Sequence, residues 1–75
     1  MTEVTFPKIG FAMTEGTLAR WLVEDGSNVE EGQPLYELES EKSIQEVESP
    51  ATGIIHIEAE ADKVYAVGIK LGWIE

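Results

Sequence analysis

The chain has 75 residues, 15 of them acidic and 5 basic, a formal net charge of −10, one histidine and no cysteine. That length holds one domain, residues 1–75, with a thin core, because so short a chain buries only about 60% of the surface its unfolded form exposes. Five scattered cations cannot make the basic stripe that nucleic acid requires, an anionic membrane would repel the chain, and the missing cysteines exclude disulfides, thiolate zinc sites and cysteine nucleophiles.

An apolar fraction of 43% is that of a folded protein despite the charge. No apolar run approaches the roughly 20 residues of a membrane span, and Met1–Phe6 lacks the basic start and apolar stretch of a secretory signal. The expected compartment is the cytoplasm of a bacterium or archaeon, or the mitochondrial matrix.

Taken in order, short pieces rich in β-branched and aromatic residues lie between closely spaced glycines and prolines, from Pro7 and Gly10 to Gly68 and Gly72. This punctuation predicts strands over Glu3–Phe6, Thr17–Val23, Leu35–Glu39, Ile44–Glu48, Ile54–Glu58, Val64–Val67 and Leu71–Ile74. A helix over Leu18–Glu31 is opposed by Gly26 and by β-branched Val23 and Val29. Asp25-Gly26 predicts a type I′ hairpin turn, and Glu30-Glu31 a solvated hairpin end. Ala19, Trp21 and Val23 share one face by alternation, as do Ile55 and Ile57. Ile44 and Val47 fall on opposite faces of an unbroken strand, which predicts a bulge or bend between them.

The chain also repeats itself. Gly32-Gln33-Pro34-Leu35-Tyr36-Glu37-Leu38-Glu39 matches Gly68-Ile69-Lys70-Leu71-Gly72-Trp73-Ile74-Glu75 in its glycine, two apolar positions and final glutamate. Val4-Thr5-Phe6-Pro7 matches Val47-Glu48-Ser49-Pro50, and Gly16-Thr17-Leu18 matches Gly53-Ile54-Ile55. Three pairs in the same order imply two similar halves. Lys8–Glu15 is an extra loop in the first. Two β-units that cannot each bury an apolar face would pack together, which predicts an all-β two-layer sandwich or flattened barrel.

Ser40-Glu41-Lys42-Ser43, polar and free of glycine and proline, joins the halves as an exposed turn with Lys42 near its apex. A hairpin there would project the amine clear of the body, where a modifying enzyme can reach it. His56, between Ile55 and Ile57, reads as a solvated or hydrogen-bonded strand histidine, since no nucleophile and orienter accompany it. The carboxylates lack calcium-loop spacing and no metal site is expected. Phe6, Trp21 and Tyr36 are expected to fill the core. Phe11 and Met13, apolar residues on the extra loop, suit partner contact, and apart from them no exposed apolar surface is expected, so the domain is expected to be monomeric.

These residues resemble the lipoyl domain of the dihydrolipoamide acyltransferases of 2-oxo acid dehydrogenase complexes, over essentially the whole chain. Met13-Thr14-Glu15-Gly16-Thr17, Trp21, Asp25-Gly26 and Val29-Glu30-Glu31-Gly32 follow in that family's order. Glu39-Ser40-Glu41-Lys42-Ser43 is similar to its Glu-Thr-Asp-Lys-Ala attachment motif, and Glu46–Gly53 resembles the strand and turn after it. Ala61-Asp62 departs from the family, which usually has glycine before the acid, and this makes a tight turn with positive φ less comfortable there.

The resemblance implies a barrel-sandwich hybrid of two four-stranded antiparallel sheets with pseudo-twofold symmetry. It also implies lipoate amide-linked to Lys42, within the context of Glu39, Glu41 and Ser43. The extra Lys8–Glu15 loop, with Phe11, Met13 and Glu15, is expected to help partners distinguish this domain from other lipoyl domains. The implied partners are a thiamine-diphosphate 2-oxo acid decarboxylase, an acyltransferase core and a dihydrolipoamide dehydrogenase, with a lipoate-protein ligase or lipoyl synthase installing the group. The domain would then be a carrier and not a catalyst. A biotin carrier shares the fold, but its lysine is normally set in Ala-Met-Lys-Met, whereas Glu41 and Ser43 flank Lys42. An unmodified interaction module is the third reading.

Overall fold

A computed structural model describes residues 1–8, 14–40 and 43–75. The pieces between the glycines and prolines form β1 (Thr2–Thr5), β2 (Glu15–Trp21), β3 (Asn28–Val29), β4 (Pro34–Ser40), β5 (Ser43–Glu48), β6 (Gly53–Ile57), β7 (Lys63–Ala66) and β8 (Lys70–Ile74). Seven of these are the strands expected from the sequence. The two-residue β3 was not expected, because Asn28-Val29 is too short to show alternation.

The strands make two four-stranded antiparallel sheets, ordered β1-β8-β6-β3 and β5-β4-β2-β7. They remain two sheets, so the sandwich and not the closed barrel describes the fold. Exchanging β1–β4 with β5–β8 turns the first order into the second, which is the pseudo-twofold relation that the repeat implied. The halves are not one layer each, however. Each sheet takes two strands from each half, and the chain changes sheet at nearly every connection. Among the described residues, β4 and β5 are the one pair of consecutive strands that hydrogen-bond to each other.

This threading corrects two turn assignments. Asp25-Gly26 does not close a hairpin, because β3 pairs with β6 and not with β2. Only Gly26 has positive φ, at 86°, whereas a type I′ turn needs two such residues. The turn instead docks on the opposite sheet: the Gly26 N–H donates to the Ile55 carbonyl at 2.8 Å, and Asp25 Oδ1 accepts from the Ile57 N–H at 2.8 Å. Glu30-Glu31, exposed as expected, likewise lies on a crossing between sheets and not at a hairpin end.

The second half repeats these bonds. The Asp62 N–H donates to the Leu18 carbonyl at 2.6 Å, as Gly26 does to Ile55. The Gly32 N–H to Ser49 and Gly68 N–H to Phe6 bonds are both 2.9 Å. Asp62 therefore stands where the first half has glycine, and it takes a φ of 63°. The tight turn survives the departure from the family pattern, with the aspartate bearing the left-handed backbone. Asp62→Gly is expected to raise stability by about 0.5–1 kcal/mol by relieving that conformation, read as a higher urea midpoint at unchanged m.

The core is Val4, Phe6, Leu18, Val29, Leu35, Tyr36, Leu38, Ile55, Leu71 and Ile74, with Trp21, Val47 and Ile57 packed against it. The expected roles of Phe6, Tyr36 and Trp21 hold, and Ile55 and Ile57 do face the core together. On β2 the register shifts between Leu18 and Arg20. Ala19 is the extra residue, so Leu18 and Trp21 both turn inward and simple alternation fails there. Ile44 and Val47 do lie on opposite faces, but β5 runs unbroken. The irregularity sits on the partner strand, between Pro34 and Tyr36.

Candidate functional site: the β4–β5 hairpin and its sheet

β4 is anchored by fully buried Leu35, Tyr36 and Leu38, while Glu37 and Glu39 alternate outward. Its ladder with β5 pairs Glu37 with Glu46, Leu38 with Gln45, Glu39 with Ile44 and, last, Ser40 with Ser43. The two serine Oγ atoms lie 3.4 Å apart. Glu41 and Lys42, expected to form the attachment turn, lie outside the described residues, as do Phe11 and Met13. The strands on either side of 41–42 are therefore a buried-anchored β4 and a largely exposed β5 packed through Val47, ending in a small polar pair.

The remaining predicted site residues gather on one sheet. Glu39 and Ser43 are exposed on β4 and β5. Glu15 is exposed at the start of β2, opposite Ala66 of β7. Because β2 runs antiparallel to β4 with Thr17 opposite Glu39, Glu15 lies toward the end of β4 that leads into residues 41–42. The structure thus brings Glu15, Glu39 and Ser43 to the same end of the β5-β4-β2-β7 sheet.

The acidity of this face is little relieved. Arg20 holds Glu37 through Nε–Oε1 at 3.0 Å and Nη2–Oε2 at 3.3 Å, and Glu37 stands directly opposite Glu46. Ile44 and Val64 are exposed there too, against the expectation of no exposed apolar surface outside Phe11 and Met13. Both were assigned to strands from the sequence, but the facing of an edge strand depends on its pairing and cannot be read from a four-to-six-residue piece.

His56 belongs to the other sheet. It stacks on Trp73 with centroids 4.0 Å apart, and its Nε2 lies 2.6 Å from Glu75 Oε1. This is the hydrogen-bonded strand histidine that was expected.

A protein-family model described as "Biotin-requiring enzyme" matches residues 2–72. The chain is 41% identical over 67 residues, 88% of its length, to the dihydrolipoyllysine-residue acetyltransferase component of the pyruvate dehydrogenase complex of Corynebacterium glutamicum, and spans 10% of that protein. It is 43% identical over 54 residues, 72% of its length, to the succinyltransferase component of the 2-oxoglutarate dehydrogenase complex of Staphylococcus epidermidis, and spans 13% of it. The solution structure of the lipoyl domain of the Azotobacter vinelandii 2-oxoglutarate dehydrogenase complex superposes with a TM-score of 0.81. That match covers 100% of this chain and 96% of the other at 24% identity, a likeness of fold. The chain thus spans a small fraction of the curated relatives and corresponds to one module of them. On the family match and these relatives together, this chain belongs to the biotinyl/lipoyl-attachment family, as a lipoyl domain of the kind found in the dihydrolipoamide acyltransferases of 2-oxo acid dehydrogenase complexes.

Proposed function

We propose that this domain carries lipoate, amide-linked through Nζ of Lys42, as a swinging arm between the active sites of a 2-oxo acid dehydrogenase complex. The observation that carries the reading is the β4–β5 ladder. It is the one hairpin of the described fold, it ends at Ser40 and Ser43, and its connection contains the lysine of the Glu-Ser-Glu-Lys-Ser motif. The residues on either side fit a tethered group: Ser40 and Ser43 are small, and Glu39 and Ser43 are solvent-facing. When bound, lipoate supplies reversible dithiol–disulfide chemistry and a sulfur for acyl carriage.

The chain's own contribution is positional. Buried Leu38 and Tyr36 fix β4, and Val47 packs β5 against the same core, so the strands that flank residues 41–42 are anchored to the body of the domain. Tethering then keeps the arm near successive enzymes at an effective concentration on the order of mM. Those enzymes are a thiamine-diphosphate decarboxylase, an acyltransferase core and a dihydrolipoamide dehydrogenase. A lipoate-protein ligase or lipoyl synthase installs the group, in a cytoplasm or mitochondrial matrix. Glu15, with Phe11 and Met13 before it in the sequence, contributes to recognition of this domain by its partners.

The test is intact mass after co-expression with a lipoate-protein ligase and lipoate. Wild type is expected to gain the lipoyl increment, and Lys42→Arg to gain none while keeping a wild-type circular dichroism spectrum and urea midpoint. An increment that persists in Lys42→Arg refutes the site. A biotinyl increment in place of a lipoyl one refutes the cofactor.

A further inference from the structure

We infer that the outer face of the β1-β8-β6-β3 sheet holds an arginine-binding site centred on Trp73, which seats a guanidinium presented by a basic segment of a protein partner. The site lies on the opposite sheet from the β4–β5 hairpin and does not depend on what Lys42 carries.

Strand pairing builds the site. Trp73 of β8 stands opposite Glu3 of β1 on one side and opposite His56 of β6 on the other. Val4, Ile74 and Ile55, the next residues along these strands, are buried, so alternation turns the row to solvent. His56 covers one face of the indole: the two rings lie 15° from parallel with centroids 4.0 Å apart. Rings stacked across neighbouring strands stand upright from the sheet. The second face of the indole therefore looks toward β1, where Glu3 is exposed and directly opposite residues have Cβ atoms about 5 Å apart. An aromatic face with a carboxylate beside it matches a guanidinium, which stacks within about 6 Å of a ring centroid while its N–H fork donates to the carboxylate.

The internal repeat identifies the cation. The twofold relation carries Glu3 onto Glu46, Trp73 onto Glu37 and, by register, His56 onto Arg20. In the row Glu46–Glu37–Arg20 the chain supplies its own guanidinium, held on Glu37 at 3.0 Å and 3.3 Å. In the row Glu3–Trp73–His56 the place of that arginine is taken by an imidazole engaged with Glu75 at 2.6 Å. Among the described residues, Arg20, Lys63 and Lys70 are committed to Glu37, Glu60 and Glu58. The cation that completes the second row is the partner's.

The form of the partner follows from the shape of the face. An open sheet surface encloses no small molecule, but it receives one side chain that projects from a larger surface. The net charge of −10 steers a basic surface toward the domain. Arginine suits the site better than lysine because its planar, weakly hydrated head stacks and donates in pairs.

The test titrates the 75-residue chain with an end-blocked hexapeptide of alternating arginine and glycine, and with its lysine counterpart. Backbone and indole N–H signals are followed by two-dimensional NMR. Trp21, whose Nε1–H donates to the Ala59 carbonyl at 3.0 Å, is the internal control. The arginine peptide is expected to shift the Trp73 indole and the Glu3 amide and to leave the Trp21 indole in place, and the lysine peptide to bind more weakly. Trp73→Leu should weaken the arginine peptide about two- to fivefold. Glu3→Gln should weaken it about twofold or more, whereas Glu46→Gln, which removes the same charge from the counterpart row, should leave it unchanged. Circular dichroism and urea midpoints check the fold of each variant, and exposed Glu3→Gln remains decisive if Trp73→Leu is destabilised. Equal affinity for the two peptides, or equal losses in Glu3→Gln and Glu46→Gln, reduces the contact to net charge and overturns the site. Shifts confined to the other sheet, or none at all, also overturn it. So does a wild-type dimer in sedimentation that Trp73→Leu dissociates, which assigns the face to a second copy.

Discussion

Tyr36→Ala is expected to cost about 3–5 kcal/mol, enough to unfold much of a domain whose total stability lies in the usual range of about 5–15 kcal/mol. Tyr36 is fully buried. Its ring stacks on Phe6 at 6.5 Å and meets Trp21 edge-on at 5.2 Å, so truncation opens a cavity between the Phe6 and Trp21 rings. Urea titration at neutral pH measures the loss. Tyr36→Phe keeps the packing and removes the hydroxyl, which donates a long hydrogen bond of 3.4 Å to the Thr5 carbonyl. It should cost little at pH 7.

The same hydroxyl makes the fold sensitive to alkali. Burial raises the Tyr36 phenol well above its ordinary value of about 10. The folded state then holds the proton more tightly than the unfolded chain does. This contribution is fully present below pH 10 and is lost as pH climbs above it, at a slope of up to about 1.4 kcal/mol per pH unit. Wild type should therefore lose stability between pH 10 and pH 11 faster than Tyr36→Phe. Parallel midpoints over that interval would show that Tyr36 does not carry the effect.

Gly72→Ala is expected to be a severely damaging single-methyl change, costing about 3 kcal/mol or more and lowering Tm by on the order of 10–20 °C. Gly72 sits in β8 between β1 and β6, paired with Val4 and Ile57. A Cβ there would collide with the His56 carbonyl oxygen and lie 3.3 Å from both the His56 carbonyl carbon and the Ile57 Cα. All of these are backbone atoms, so β6 must shift bodily. Gly68→Ala is the useful contrast: nothing lies near its Cβ, but its φ of 93° favours glycine, and the expected cost is about 1 kcal/mol. A Gly72→Ala midpoint no lower than that of Gly68→Ala would show that β6 yields easily.

The repeat was the most informative feature of the chain. Equal spacing between Gly32 and Gly68, Leu35 and Leu71, and Leu38 and Ile74 makes the twofold relation legible in the sequence, because each pair serves the same turn or the same core position. Seven strands were legible for the same reason: they carry β-branched or aromatic residues between turn-formers. β3 was not, since two residues hold no period. The Asp25-Gly26 turn was recognised as a turn but given the wrong partner, because a turn dipeptide records local backbone preference and not which sheet the next strand joins.

The candidate site divides in the same way. The Glu39–Ser43 segment, which resembles the family's attachment motif, is contiguous and can be read directly from the residues, while the face beside it cannot. Ile44, Glu39, Thr17 and Val64 are scattered over 48 residues and become neighbours only through three separate strand pairings.

By itself the amino-acid sequence determined the all-β class, the two related halves and most of the core, since each of these depends on local spacing. The tertiary structure alone decided that the halves interleave strand by strand, that Asp62 bears a backbone suited to glycine, and that Ile44 and Val64 look outward along one row. Register and layer order come from burying both halves in a single shared core, and no local segment carries that information.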